Sequence, residues 1–292
     1  MSAISKSAMI ARLTIRHWNP LIQDKYVTNK VEFDYNVSNR GYWNKWRVAK
    51  DSVDLVRRII NEARKFHYEN TLPWLDGGDR LLPTKNYQDY TAGMRAYKGQ
   101  FDAAVNEFVT NYMSYVSAAS TELGQMFNSG EYPDASEIDK YFEFNTALSN
   151  VPNEADFRCE MNEADVQEVR EQISEQNTKA ISSAVSDLWD RLETVVDHAA
   201  NSLGAKDKIF RNTLIGNIDQ VADMIPRLNF SDDKELAALA KEAKDKVAQY
   251  SPKFLRNNVH ARAEAAAHAK DVKAKIGKVR PPKKKGNKND AK

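Results

Sequence analysis

From Thr84 to Phe127 the apolar positions recur at steps of three, four or seven: Tyr87, Tyr90, Met94, Tyr97, Phe101, Val105, Phe108, Tyr112, Val116 and Leu123. That is the repeat of one face of a long α-helix. A second stripe runs through Val166, Val169, Ile173, Ala180, Ala184, Leu188, Leu192, Val195, Ala199 and Leu203, interrupted by Gln176 and Asn177. At 1.5 Å rise per residue each helix reaches on the order of 60 Å. Two matching stripes with a strand-like region between them predict an elongated antiparallel helical hairpin.

The shorter elements frame this pair. Leu13, Ile15 and His17 alternate with polar residues, as in a half-buried strand that ends at Asn19-Pro20. Residues 26–33 suit either a short helix capped by Thr28 or a strand. Asp51 caps a helix whose inner side is Val53, Val56, Ile59, Ile60, Ala63 and Phe66. The stretch 71–83, with Pro73, Trp74, Gly77, Gly78 and Pro83, reads as an ordered corner before the first long helix. Gly130 and Pro133 break the chain, and 134–138 restarts a short helix. Segments 141–148 and 155–161 read as a hairpin completing a small three-stranded sheet with the first strand.

Asn162 caps the second long helix, and Gly204 closes it. A helix from Ile209 to Pro226 and another capped by 231–233 follow. The segment from Lys253 to Lys275 is alanine-rich and polar nearly all round, so it is expected to stand free or to bind something. The lysine-rich end cannot offset its ordering entropy and is expected to be disordered. The fold class is therefore mainly α with a small antiparallel sheet (α+β). Its parts are a hairpin with sheet over 1–204, a helical part over 205–250, a polar helix over 251–278 and a basic tail over 279–292.

Composition sharpens this picture mainly through charge. The 292 residues carry 43 Lys+Arg against 41 Asp+Glu, a net +2. Residues 1–70 hold 13 basic against 7 acidic side chains (+6), residues 270–292 hold 10 against 2 (+8), and the body between them stands at −12. Such a basic end either binds a polyanion or docks onto the acidic body of the same chain. No run of about 18 apolar residues and no signal-peptide core is visible, so a cytoplasmic protein with no membrane partner is expected. A single cysteine, Cys159, excludes an internal disulfide and a cysteine-based zinc site.

Candidate chemistry lies in the basic ends. Arg40, Trp43, Lys45 and Trp46 interleave cations with aromatic rings, the combination that binds single-stranded nucleic acid by phosphate neutralisation and base stacking. The structural alternative puts Trp43 and Trp46, three apart, on the inner face of a helix. Arg57 and Arg58 give the next helix a basic outer side, and Lys273, Lys275, Arg280, Lys283, Lys284 and Lys285 continue the pattern at the far end. No phosphate-binding glycine loop, paired-histidine motif or nucleophile elbow occurs. Asp76 and Asp79 fall far short of a calcium site. His67 is the histidine best placed for a role, and a structural hydrogen bond suits it better than catalysis. No catalytic residue, metal or cofactor is implied.

Trp18, the run from Ala63 to Trp74, Arg80-Leu81-Leu82-Pro83, Tyr132-Pro133, Val151-Pro152 and Asp156-Phe157-Arg158 resemble, in that order, a family of uncharacterised proteins of tailed phages and related mobile elements. The resemblance spans about residues 9–180 and implies a phage protein working in the host-cell cytoplasm. It supplies no activity. The expected function is non-catalytic nucleic-acid binding through the basic ends, with single-stranded DNA in replication or recombination as the substrate. The alternative is a helical protein-interaction module, an assembly factor or an inhibitor of a host enzyme, bound to a phage or host protein. Self-association is left open.

Overall fold

A computed structural model describes residues 4–75, 77–153, 162–205 and 210–282. Among the described residues the chain runs α1 (Ile4–Ser7), β1 (Ala8–Arg16), β2 (Leu21–Gln23), α2 (Lys25–Tyr35), β3 (Asn44–Trp46), α3 (Asp51–Glu69), β4 (Leu72–Pro73) and β5 (Arg80–Pro83). It continues with α4 (Tyr87–Glu122), β6 (Glu143–Asn150), α5 (Glu163–Gly204), α6 (Thr213–Leu228), α7 (Lys234–Val247), α8 (Pro252–Asn257) and α9 (Val259–Val279). The protein is mainly α with a small antiparallel sheet, as the pattern predicts.

That sheet has four strands in the order β4-β5-β1-β6, and β2 and β3 form a separate pair. Antiparallel pairing sets Ala8 against Pro83 and Ile10 against Leu81, while Leu72 faces Leu81. The expected corner at 71–83 is thus a hairpin, with Gly78 at φ 79° and Leu75 at φ 45° in its turn. Of the two segments expected to add strands, 141–148 supplies β6. The other, 155–161, lies outside the described residues, as do Cys159 and Asp76.

Compact packing divides the chain into two interleaved units. One comprises residues up to Arg12, Tyr68–Tyr90 and the chain from Leu148 onward; the other comprises Leu13–His67 and Thr91–Ala147. The two long helices fall largely in different units.

In the unit built from Leu13–His67 and Thr91–Ala147, the aromatic face of α4 closes over Trp18, two residues past β1, and over a ring of β6. Phe108 and Tyr112 lie 5.8 and 5.7 Å from Trp18, the latter edge-on, and Phe101 lies 5.5 Å from Phe144. Such tilted and edge-on pairs each add roughly 0.5–1.5 kcal/mol beyond the area they bury. Tyr112 donates its hydroxyl to the Pro133 carbonyl at 3.0 Å. Burial pushes its phenol up to about 12.

In the other unit, α5 packs chiefly along α9, with α6 and α7 completing the bundle. Of the two expectations for the polar helix at the C-terminal end, that it stands free is corrected here. Ala261, Ala265, Ala269, Val272 and Ile276 of α9 are buried, repeating at steps of four, four, three and four. They face a stripe of matching small and aliphatic residues on α5: Ala180, Ala184, Leu188, Leu192, Val196 and Ala199. Small side chains allow close approach of two backbones, which the aromatic stripe of α4 would not. The polar interruption at Asn177 is a buried amide donating to the Pro152 carbonyl at 2.8 Å. Arg191 of α5 donates to the carbonyls of Tyr68, Glu69 and Thr71 at 3.0, 2.8 and 2.8 Å, satisfying groups that the end of α3 leaves without intrahelical partners.

Candidate functional site

Between β2 and β3 the chain leaves the body and returns as an arm made of α2 and residues 36–43. Its base is held by one polar cluster. Asp24 caps α2, its Oδ1 accepting the Val27 amide at 3.0 Å, while its own amide donates to the Trp43 carbonyl at 2.8 Å. Thr28, the buried residue of α2, donates its hydroxyl to the Asp24 carbonyl at 2.7 Å and accepts the Trp43 amide at 3.0 Å. Lys45 lies beneath. Its ammonium stands 3.0 Å from Asp24 and 3.0 Å from Glu131 and donates to the Met126 carbonyl at 2.7 Å.

The electrostatics follow from this geometry. The Val27 amide, with help from Lys45, holds the Asp24 carboxyl below the ordinary carboxylate value against the opposing effect of burial. Burial also pulls the Lys45 ammonium down, but its bonds to Asp24 and Glu131 outweigh it and leave the group above the ordinary lysine value.

Beyond this base the arm is bare. Tyr26 is 78% exposed, Phe33 86%, Tyr35 75%, Tyr42 65% and Trp43 49%. The helix ends at Asn36, a left-handed C-cap (φ 49°) whose amide bonds the Glu32 and Phe33 carbonyls. The segment 36–43 returns along the Thr28 side, where Glu32 accepts the Asn39 amide at 2.7 Å.

The residues expected to bind nucleic acid are dispersed. Arg40 and Trp43 are exposed on the arm, and Trp43 precedes a strand instead of lining the inner face of a helix. Lys45 is 6% exposed and committed to its two carboxylates, so it has no charge to offer a phosphate. Trp46 is half-buried with the Arg57 guanidinium 5.2 Å above its ring, and Arg58 is exposed on the same helix as Arg57. In the other unit Lys273 pairs with Asp197, Lys275 with Glu242 and Asp271 at 2.8 and 2.7 Å, and Arg280 with Asp190 at 3.0 Å and with Glu193. The described start of the basic tail therefore docks onto acidic side chains of its own chain. Lys283, Lys284 and Lys285 lie outside the described residues.

A second polar feature lies near the end of β1. Arg47 rests 4.6 Å over the Trp18 ring, donates to the Asn19 carbonyl at 2.6 Å and to that of Glu131, and borders a cavity of about 500 Å³ with His17, Tyr132 and Tyr141. Tyr132 donates its hydroxyl back to the Arg47 carbonyl at 2.6 Å. The guanidinium is occupied by backbone carbonyls, so the group works as a strut tying residues 19, 47 and 131–132 together. Asp79, considered above for a cation, receives a two-toothed contact from Arg12 at 2.6 and 2.9 Å. His67 is buried.

Among the described residues no group of three or more His, Cys, Asp or Glu side chains is placed to hold a metal ion, and no helix is long and apolar enough to cross a membrane. Comparison with known protein families, with characterised proteins and with solved structures gives no match to this chain.

The exposed rings of Tyr26, Phe33 and Tyr35 were not singled out from sequence. The signal was present: a capping aspartate opens an eleven-residue helix whose largest apolar residues sit among charges instead of forming one broad stripe.

Proposed function

We propose that this is a non-catalytic interaction protein that docks onto another protein through the arm formed by α2 and residues 36–43. The observation that carries the reading is the exposure of five aromatic side chains between residues 26 and 43 on an element whose base is fixed. Each such ring buries on the order of 150–250 Å² when covered. At about 25 cal/mol per Å² that is a large gross gain for so short a segment. Large apolar side chains left bare in this way mark interaction sites, and Tyr, Trp and Phe are enriched in interface cores.

Phosphate-driven binding has less support. Of the seven candidate cations that are described, Lys45, Lys273, Lys275 and Arg280 are held in ion pairs with carboxylates of the same chain. The arm itself carries Lys25, Lys30 and Arg40 against Glu32 and Asp34, close to neutral. One observation keeps nucleic acid as the second reading: Arg40 is exposed two residues before the exposed Tyr42 and Trp43, the composition of a stacking platform.

The sequence resemblance makes phage-infected cells the place to look for the partner. The test is affinity capture from such a lysate, with and without nuclease, using the wild-type chain and the variants Phe33→Asp and Trp43→Asp. The expected result is a stoichiometric complex that survives nuclease and is lost in the variants. Capture that disappears with nuclease, or that is identical in wild type and variants, overturns the docking reading. Retention on single-stranded DNA that falls steeply between 50 and 500 mM salt would move the assignment to nucleic acid.

A further inference from the structure

We infer that the surface of α2 takes a second copy of this chain, the two α2 helices packing antiparallel across a two-fold axis. This rests on the docking reading and names its partner. Successive residues of a helix are turned by 100°, so Tyr26 and Phe33 lie within about 20° of one another on one face, with Asn29 and Lys30 between them. Thr28 points the other way, toward the return segment that bonds it, and Glu32 lies at the border, where one carboxylate oxygen takes the Asn39 amide. The Tyr26–Phe33 face is therefore turned away from the arm's own cover, and both of its rings are more than three-quarters exposed.

The pattern on this face is self-complementary in one orientation. A two-fold axis passing between positions 29 and 30 sets Tyr26 of one copy against Phe33 of the other, twice. Lys25 and Glu32, also seven apart, share one edge of the face. The same axis brings Lys25 of each copy beside Glu32 of the other, whereas a parallel pair would carry the Lys25–Glu32 edges of the two copies to opposite sides of the contact. The two charges are placed to serve. Lys25 is exposed and has no ion pair among the described residues, and the Asn39 amide holds the Glu32 carboxylate at 2.7 Å.

A single interaction counted twice by symmetry is the economy of an isologous contact. Four rings and their flanking side chains approach the lower limit of about 1,200 Å² for a specific interface, which places the association in the range of ~10–100 µM. Such a contact forms and parts with concentration. A neutral, aromatic, charge-matched face suits a protein helix of its own pattern better than a polyanion.

Sedimentation equilibrium of the full chain from about 5 to 500 µM tests this. The wild type is expected to pass from monomer to dimer, and Phe33→Asp to remain monomeric. Lys25→Glu should weaken the dimer roughly tenfold, because two attractions become two repulsions. Combining it with Glu32→Lys should restore association to within about threefold of wild type. Lys25→Glu sits in the first turn of α2, where an acid favours the helix, so it keeps its fold. Unchanged melting temperatures verify this for each variant. A wild type that stays monomeric throughout, or a double variant no better than the singles, overturns the inference. If the chain is monomeric while Phe33→Asp still abolishes a nuclease-resistant complex, the second copy falls and docking stands. If Phe33→Asp instead abolishes binding of a labelled thymidine oligonucleotide, both fall.

Discussion

Lys45 and Asp24 stand 3.0 Å apart with nine-tenths or more of each side chain withdrawn from water, and the pair joins the base of the α2 arm to the body of its unit. A buried pair of this sort adds modest net stability as a pair, because desolvation opposes the Coulomb attraction. Breaking it is another matter, since a charge is then left buried alone. Lys45→Met is expected to destabilise the chain by about 3–5 kcal/mol, leaving both Asp24 and Glu131 without their ammonium. Equilibrium urea denaturation with a probe in this unit, such as the fluorescence of its tryptophans, measures it. Loss of less than ~1 kcal/mol would show that the cluster is solvated and the arm loosely held.

The same cluster sets an acid limit. Asp24 is depressed in the folded state, first by the Val27 amide and then by Lys45. A carboxyl lowered on folding stabilises the protein above its unfolded value of ~3.9, and the contribution is lost as pH falls through the folded value. Lys45, raised on folding, has its contribution in place across neutral pH and loses it only above the ordinary lysine range. The wild type is therefore expected to lose stability below about pH 4, and Asp24→Asn to flatten that part of the pH profile while lowering stability at pH 7. Thermal melts between pH 2.5 and 8 distinguish the two. Parallel profiles for wild type and variant would remove Asp24 from the account.

Much of the fold was legible because period-3.6 stripes of bulky residues leave little choice. Tyr90, Phe101, Phe108 and Tyr112 are buried where the spacing puts them, Asn162 and Asp233 cap the helices they were expected to cap, and Val53, Val56, Ile59 and Ile60 are the inner side of α3. What the pattern left open was the partner of each stripe. Periodicity identifies a face and not its partner, and the partner of α5 turned on residue size: Ala265 and Ala269 make only a narrow stripe of small side chains among charged ones, yet allow the close approach that α9 makes. Trp43 and Trp46 misled for a related reason. Three apart suits a helix face, but Gln23 and Asn44 begin a two-residue-period ladder that no apolar alternation announces. Lys45 could not be told from a phosphate ligand, because its carboxylates come from positions 21 residues before it and 86 after.

Gly93 offers a test of packing within α4. A methyl group added there would come within 2.6 Å of Phe66 Cε1, and Phe66 is itself set against Tyr97, ring centres 5.6 Å apart. Replacing a helical glycine by alanine ordinarily gains about 1 kcal/mol. Overpacking costs about 1–3 kcal/mol and should win, because the ring has Tyr97 behind it. Gly93→Ala is expected to be destabilising, and Gly93→Ala with Phe66→Leu to recover part of the loss. A stabilising Gly93→Ala measured by denaturation would mean that Phe66 yields freely.

The alanine face of α9 gives the sharpest contrast, because one substitution can be placed on either side of the same helix. Ala269 is fully buried among the residues that face α5, and Ala267, two positions earlier, is exposed. Leucine at position 269 adds three carbons where two helices approach closely, and is expected to cost about 1–3 kcal/mol or to push α9 away. Leucine at position 267 should fall within about 0.5 kcal/mol of wild type. Helix propensity cannot account for a difference, since both sites lie in the helix interior and the residues exchanged are identical. Denaturation midpoints of the two variants decide the matter. Equal and near-neutral effects would mean that α9 stands free in solution, as its polar composition suggests. A loss confined to Ala269→Leu would show that the C-terminal helix is part of the core of its unit.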